Sequence, residues 1–426
     1  MKSHPLHVNT VYELIDKKSG KIINSWGNNK EHEATIEVKI KNPGEDPITL
    51  RFPFRSYVSN FSRVLNNAFL NVDNSTSGDA IDKLILTTTG GATYAAAVIH
   101  TMAVNEGALS SPTQTNYGIW IGDKDNASGL GLTIEAGVGG FPSYDNYSLR
   151  GLILPDGGSP DTDVVYGLNN VLFSNADNTL TVSRRFQNNS GATLYISEIG
   201  MVGKSGTDYF LLSRDLVSKG GTGTYDPERD PFTLLTGGTC EVSYIFTVTD
   251  SSGWTKNYLR MLSSEFVAGN AVSQVKDITN AAQTINFSSA RTQKDLLAAL
   301  GNSNYGILVG ADTAPSAQPS YNTSSYYITD PIAHGTAYGQ LSHSVVTPID
   351  LEQGSNMTTF GLQRDFERVF TTGTLYIHSS GLVIRQGTDP YKYFLITYDY
   401  VPSYLSELQI TPGQILRVKY MFQAPL

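Results

Sequence analysis

Side chains that could bind a cation recur at nearly alternate positions of one short segment. The candidate oxygen ligands are Asp123, Asp125, Asn126 and Ser128. Calcium takes about six to eight oxygens and usually a bidentate acid at the twelfth position of its loop. That position is Ile134 here, so the segment is a weak metal candidate and an Asp/Asn turn is the favoured interpretation.

Other catalytic patterns are incomplete. Gly203-Lys204-Ser205 resembles the end of a phosphate-binding loop, but the motif's further glycine is replaced by Glu198 and no helical pattern follows. The histidines show no paired spacing on a predicted helix, although His334 and His343 share a loop-rich segment. No serine elbow is found, and no acid pair is singled out for glycoside hydrolysis. We therefore predict no enzymatic activity and no cofactor.

Tyrosine is abundant, with 24 residues, and offers two interpretations. Tyrosines inside strand patterns, such as Tyr195 and Tyr244, are predicted to pack. Those in Ser/Asn-rich loops could anchor a protein or a sugar, because the ring is apolar and the hydroxyl polar. These candidate binding residues are Tyr144, Tyr147, Tyr321, Tyr326 and Tyr327.

The composition limits the partners and the compartment. Only 16% of the 426 residues are charged and the net charge is −9, so nucleic acid is not expected as a partner. The single cysteine, Cys240, excludes an intrachain disulfide, and we place it where Ile415 lies in a second copy of its strand, as a small buried hydrophobe. Without a long apolar run or an apolar N-terminal segment, the chain is expected to be soluble and made in the cytoplasm.

Most of residues 179–249 occurs a second time near the C-terminus. Phe186 corresponds to Phe366, Tyr209 to Tyr393 and Tyr244 to Tyr420, at offsets of 180, 184 and 176. The match continues upstream, where residues 116–122 resemble 304–310. Small drifts in offset that fall at Gly, Ser, Asp and Pro clusters are typical of loop insertions in a duplicated β domain.

The elements around these copies are strands with a few helices. Residues 8–26 are predicted to form a hairpin that turns at Gly20, and 35–40 alternate apolar and charged side chains as a half-exposed strand does. Helices are predicted over 53–71 and from Tyr258 to Gly269, from apolar residues spaced by three and four. Each helix could pack on a sheet or dock a neighbouring subunit.

The resulting fold class is mainly β. Short strands separated by Gly, Asp, Ser, Asn and Pro loops number roughly eight per copy, which favours a sandwich or jelly roll. Before the repeated block of the first copy, the candidate strands are 119–121, 132–134, 149–154, 164–168 and 171–173. We predict two tandem β-sandwich or jelly-roll-like domains, each preceded by a short helix, with an N-terminal β-hairpin. The predicted divisions are 1–52 for the hairpin and strand, 53–250 for the first helix and domain, and 251–426 for the second.

The order of motifs resembles a domain of virion proteins in tailed bacteriophages. That pattern runs Thr-Val-x-Arg-x-Phe, a Gly-rich turn, Leu-x-Ile-x-Glu-Ile-Gly, a Leu-Leu-x-Arg-Asp strand and a Gly-led closing strand. It is matched by residues 181–186, 194–200, 211–215 and 238–246. The second copy departs from it, with Ser379 at the Glu198 position and Tyr398 at the Arg214 position, which argues against a shared chemical role for that pair.

The resemblance implies a structural component of the virion, assembled in the host cytoplasm. A head decoration, neck or tail/fibre-attachment protein would act by protein–protein assembly, as a homo-oligomer and with other virion proteins. The alternative is a carbohydrate-binding adhesin that recognises a host surface glycan through the loop tyrosines. Neither hypothesis involves nucleic acid or a membrane.

Overall fold

The computed structural model describes residues 6–54, 84–87, 93–96, 117–122, 149, 153, 164–205, 208–217, 231–267, 272–285, 294–312, 320–353, 357–387, 390–401 and 408–425. These residues are mainly β, in several sheets, with one α-helix among them. The weak metal candidates Asp123, Asp125, Asn126 and Ser128 lie outside the described residues. So do Tyr144, Tyr147 and positions 55–71 of the predicted first helix, whose first residue, Pro53, ends a strand.

The strands that precede the helix are β1 (Leu6–Asp16), β2 (Ile22–Lys41), β3 (Ile48–Pro53), β4 (Leu84–Thr87), β5 (Thr93–Ala96), β6 (Gly118–Gly122), β7 (Val164–Ser174), β8 (Thr179–Asn188), β9 (Leu194–Ile196), β10 (Glu198–Ser205), β11 (Asp208–Leu216), β12 (Phe232–Leu234) and β13 (Thr239–Thr247). A short 3-10 turn, Asp250–Ser252, leads into the helix α1 (Lys256–Phe266).

The strands that follow the helix are β14 (Val272–Lys276), β15 (Ala282–Ile285), β16 (Lys294–Asp295), β17 (Gly306–Asp312), β18 (Ser342–His343), β19 (Thr347–Gln353), β20 (Met357–Glu367), β21 (Leu375–Gln386), β22 (Lys392–Tyr400), β23 (Gln409–Ile410) and β24 (Gln414–Pro425). The first repeat and the second repeat below mean the segments on either side of residue 250, without the N-terminal strands β1–β3.

The N-terminal hairpin is confirmed. β1 and β2 are antiparallel, and Gly20 turns between them with a φ of +68° while its N–H donates to the Asp16 carbonyl at 2.8 Å. A positive φ favours glycine at this position. The strand predicted at 35–40 is the second half of β2, which continues unbroken through the polar segment 28–33.

One ten-stranded antiparallel sheet contains strands from both repeats. Its main order is β18-β20-β24-β1-β2-β13-β8-β7, with β19 also on β20 and β3 also on β2. β1 pairs with β24, the closing strand of the second repeat, whereas the second half of β2 pairs with β13, the closing strand of the first. The N-terminal hairpin therefore joins the two repeats through continuous hydrogen bonding.

Two smaller sheets lie against the ten-stranded sheet. The first repeat contributes β11-β10-β6, and the second contributes β17 and β16 on β21, with β22 and β23 also pairing β21. Tyr244 of β13 contacts Ser213 of β11 at 3.3 Å, and Tyr420 of β24 contacts Ser380 of β21 at 2.7 Å. Inward side chains of these sheets form one hydrophobic core that runs through both repeats.

Several strand predictions can be compared directly. Residues 119–121 lie in β6, and the two separate strands predicted at 164–168 and 171–173 are one strand, β7. The predicted strand at 132–134 lies outside the described residues. The register also corrects one equivalence: Cys240 faces Phe186 and Leu416 faces Phe366, so Cys240 corresponds to Leu416 and not to Ile415.

The helix predicted after the first repeat is confirmed as α1. Its apolar stripe is buried, including Tyr258, Leu259, Leu262 and Phe266. Arg260 lies 4.7 Å above the ring of Phe173 in the first repeat, while the Asn257 side chain donates to the Leu395 carbonyl of the second. α1 is thus an internal packing element between the repeats.

Candidate functional site

Both repeats contain the same buried arginine site. Arg184 of β8 donates through Nε to the Gly167 carbonyl at 2.8 Å and through a terminal nitrogen to the carbonyls of Tyr117 and Ile119 at 3.0 and 3.2 Å. A guanidinium presents five N–H donors in a fixed planar arrangement, which suits several carbonyls at once. The contacts connect the ten-stranded sheet to β6.

In the second repeat Arg364 makes the corresponding contacts. Its Nε donates to the Ser344 carbonyl at 3.0 Å, and its terminal nitrogens donate to the carbonyls of Tyr305, Ile307 and Asn302 at 3.4, 3.0 and 2.5 Å. Burial lowers the pKa of both arginines to about 10, so both remain protonated at neutral pH. Two charged residues that could have marked a reaction site hold the sheets together instead.

The surroundings of the arginines are duplicated as well. Tyr117 stacks on Tyr209 at 6.1 Å and Tyr305 on Tyr393 at 6.2 Å between ring centroids. A cation lies over the first ring of each pair, at 5.4 Å for Lys204 over Tyr117 and 4.6 Å for Arg385 over Tyr305. Lys204 therefore belongs to a packing contact. The sequence predicts a strand-to-strand turn at residues 203–205, but all three lie within β10.

At each of these sites a glycine begins the strand to which the arginine donates, β6 in the first repeat and β17 in the second. Gly118 has a φ of +93° and Gly306 a φ of +82°. A Cβ at Gly306 would lie 2.8 Å from the Cβ of Ala298, so a side chain is excluded by space as well as by conformation. The sequence Asn-Tyr-Gly-Ile occurs in both repeats, at 116–119 and at 304–307. The positive φ and the close approach of neighbouring atoms explain why its third residue is glycine.

The polar interior of the small sheet differs between the repeats. In the first, Arg214 donates to the Glu198 carboxylate at 2.8 Å, and both side chains are buried. In the second, Ser379 and Tyr398 stand at these positions, and Ser379 Oγ contacts Tyr321 Oη at 2.9 Å and His378 Nδ1 at 2.9 Å. Glu198 and Arg214 thus form an internal ion pair that the second repeat replaces with neutral groups.

A third polar cluster attaches the N-terminal hairpin to the second repeat. Tyr12 Oη lies 2.8 Å from Ser380 Oγ and donates to Asp399 at 3.2 Å, and Asn28 donates to the other oxygen of Asp399 at 2.9 Å. Burial, followed by the charge of Asp399, raises the pKa of Tyr12 well above its usual value. The tyrosine therefore remains a neutral donor to the carboxylate.

Among the candidate binding tyrosines, Tyr321 lies in the interior. Its ring stacks on Tyr398 at 5.1 Å, and its hydroxyl accepts from the Thr329 N–H at 2.8 Å. Burial raises its pKa. The Ser/Asn-rich sequence around Tyr321 indicated an exposed loop, but the segment folds back onto β22, so this ring does not present a face to solvent.

Tyr326 and Tyr327 lie at the surface of the same segment. Their ring centroids are 4.8 Å apart, and Tyr327 is 44% exposed. The Lys276 ammonium lies 5.8 Å from the Tyr326 ring centre. A hydrogen-bonded turn precedes the pair, in which the Ser325 N–H donates to the Asn322 carbonyl at 2.9 Å. These two rings are the described part of the predicted binding set that a ligand could reach.

The two histidines of the loop-rich segment do approach one another. The ring centroids of His334 and His343 are 5.6 Å apart, and the backbone N–H of His343 donates to His334 Nδ1 at 3.0 Å. His343 is buried beside Arg364, and burial lowers its pKa to about 4. Within the described ranges, no three His, Cys, Asp or Glu side chains are grouped as a metal site requires, and no helix is long and apolar enough to cross a bilayer.

Sequence reasoning did not assign roles to the arginines or to Tyr12. The Arg-x-Phe spacing shared by both copies was the available signal for Arg184 and Arg364, because an arginine two positions before a buried phenylalanine in a strand lies on the same face and so points towards the core. No protein-family model, curated protein or solved structure matches the chain. What the chain does is therefore inferred from its own residues.

Proposed function

We propose that the chain is a structural component of a tailed-bacteriophage virion, a head decoration, neck or tail/fibre-attachment protein that acts by binding neighbouring subunits. The observation that carries the proposal is the use of the motif residues. Arg184, Glu198 and Arg214, which belong to the sequence pattern that resembles that of virion proteins, bind backbone carbonyls and one another inside the fold. These polar side chains therefore stabilise the fold.

The domain arrangement is part of the same proposal. Each repeat would be a sandwich or jelly-roll-like module in which a small sheet covers half of the ten-stranded sheet. The duplicated arginine site and stacked tyrosines support two copies of one module. A chain with two such modules would offer two related surfaces to a ring or lattice of neighbours, where symmetry multiplies modest contacts.

The test is the composition of the particle. Virions of the virus that carries this gene are purified through a density gradient and digested for mass spectrometry, with a non-structural protein of the same virus as the control for carry-over. We expect peptides of this chain at a fixed ratio to the major capsid protein. A chain found only in the infected-cell lysate would overturn the proposal.

A second candidate function is glycan binding, and one observation favours it. Tyr326 and Tyr327 present adjacent rings at the surface next to a lysine, which suits stacking and hydrogen bonding to a sugar. A glycan array read with the wild type and with the double change Tyr326→Ala/Tyr327→Ala decides it. Tyr195→Ala is the matched control: Tyr195 was predicted to pack, but its side chain points out of the short strand β9 and is 48% exposed.

A further inference from the structure

The two ends of the ten-stranded sheet occupy equivalent positions in the two repeats. At one end β7 pairs with β8, and at the other β18 and β19 pair with β20. Asn170 faces Ser183 and Thr347 faces Gln363, so Asn170 and Thr347 correspond through the 180-residue offset of their partners. Among the described residues, β7 has β8 as its only strand partner.

The edge strand β19 has features that block further pairing. It contains Pro348, which lacks a backbone N–H, and its register is broken by an irregularity between Ile349 and Glu352. Its sequence also carries the acids Asp350 and Glu352. Proline, charge and bulges are the means by which proteins protect the edge of a sheet.

The edge strand β7 is unprotected over its second half. Its eleven residues contain no charge and no proline. Its one irregularity lies between Tyr166 and Asn169, with Leu168 at its end, and residues 169–174 are in regular register with β8. Leu168 and Leu172 are 51% and 59% exposed, and Asn170 between them is exposed as well. An uncharged edge with exposed leucines is a template for another strand.

The sequence of this edge is symmetric about its centre. Leu168, Asn170 and Leu172 lie on one face, because side chains two apart share a face of a strand. If two copies of β7 pair antiparallel about Asn170, each Leu168 faces the Leu172 of the other copy and the two asparagines face each other. Asparagine side chains can donate and accept, so they satisfy one another across such an axis.

We infer that β7 is the contact surface for a second copy of this chain, paired antiparallel about a two-fold axis through Asn170. The same surface on both subunits closes the assembly as a dimer. Head-to-tail pairing of the two equivalent ends of the sheet would join β7 to β19, and β19 is blocked. The inference does not depend on the proposed function, because such a dimer would form whether or not the chain belongs to a virion.

The dimer is tested first by mass in solution. Light scattering on the eluting wild type should give about twice the chain mass of 46.3 kDa. Leu168→Lys with Leu172→Lys should halve that mass, because the leucines face each other and lysines there repel. Leu300→Lys is the matched control, since Leu300 is 71% exposed in the second repeat. A monomeric wild type, or a dimer unchanged by the lysines, overturns the inference.

The register is tested by cysteine cross-linking. Asn170→Cys should give a disulfide-linked dimer under mild oxidation, and the wild type should not, because Cys240 is buried. Leu168→Cys should stay unlinked, since its copies would lie four residues out of register, roughly 13 Å apart and beyond disulfide reach. Linkage at 168 but not 170 contradicts the proposed axis. Linkage of Asn170→Cys only to Thr347→Cys would show head-to-tail pairing and overturn the proposal.

Discussion

The two repeats share one polar contact and differ in another. The carbonyl-binding arginine is present in both, with the same three kinds of neighbour: a stacked tyrosine pair, a cation and a glycine of positive φ. The ion pair Glu198–Arg214 occurs in the first repeat alone. The arginine donates hydrogen bonds to buried backbone carbonyls, which need a donor in both repeats. The ion pair joins only two side chains, and both can be replaced by neutral residues at once.

The charged rows across the ten-stranded sheet show a second difference. In the first repeat Arg185 faces Glu241, which faces Lys39. In the second repeat Asp365 faces Arg417, which faces Glu13. Each of the three positions therefore carries the opposite charge in the other repeat. Adjacent strands still present opposite charges to each other, so the cross-strand attraction is kept although the residues differ.

The largest expected effect is on the ion pair of the first repeat. Glu198→Ala should lower the free energy of unfolding by about 4 kcal/mol, because it leaves a buried guanidinium without its carboxylate. Ser379→Ala at the same position of the second repeat should cost only about 1 kcal/mol. Urea unfolding followed by fluorescence measures both. Equal losses of stability in Glu198→Ala and Ser379→Ala would contradict the distinction between an ionic interior in the first repeat and a neutral one in the second.

The shared arginine should give matched losses. Arg184→Met and Arg364→Met should each lower the free energy of unfolding by about 3 kcal/mol, since several buried carbonyls lose a charged donor. The double change tests whether the sites are independent, and its cost should be near the sum of the two. A loss at one position only would contradict the equivalence of the two sites.

A pH dependence should distinguish the second repeat. His343 occupies the place that Tyr166 has beside Phe186, facing Phe366. Its pKa is lowered from 6.5 to about 4 in the folded chain, so its contribution is complete above pH 6.5 and is lost as the pH falls towards 4. The loss between pH 8 and pH 5 should be about 2 kcal/mol.

The matched variant for that measurement is His343→Tyr, which installs the residue of the first repeat. Its absolute stability is not the criterion, because a larger ring costs packing energy. The difference between pH 8 and pH 5 should shrink by about 2 kcal/mol relative to the wild type. An unchanged difference would assign the pH response to other groups.

The smallest expected effect concerns the hairpin. Tyr12→Phe removes the donor to Asp399 and should cost about 1 kcal/mol, measured by the same unfolding experiment. Its counterpart at the junction with the first repeat is Val38, which faces Val242 as Tyr12 faces Val418. Val38→Ala should act through lost packing alone and show no dependence on Asp399→Asn, whereas Tyr12→Phe should.

The sequence predicted the elements that local patterns define. The hairpin follows from Gly20 and its flanking strands, and α1 follows from the spacing of Tyr258, Leu262 and Phe266. The mainly β character followed from composition and strand length. These features are encoded within a few residues, which is why a single sequence suffices to find them.

Long-range pairing could not be read in the same way. Nothing near Tyr12 indicates that β1 lies beside β24, because antiparallel pairing of two alternating strands fits many partners. The burial of Tyr321 was missed for a related reason: a Ser/Asn-rich segment indicates a turn, and its packing against Tyr398 and Tyr400 depends on β22. Positions 144 and 147, outside the described residues, remain predictions.

The pairing of β1 with β24 has a consequence during synthesis. Glu13 and Lys419, which bind each other across these strands, are 406 positions apart. At about 5–20 residues per second, a ribosome needs roughly 20–80 s to pass from one to the other. The first repeat can close on β2 in that interval, while the edge of β1 that pairs with β24 stays open until the C-terminal strand has been made.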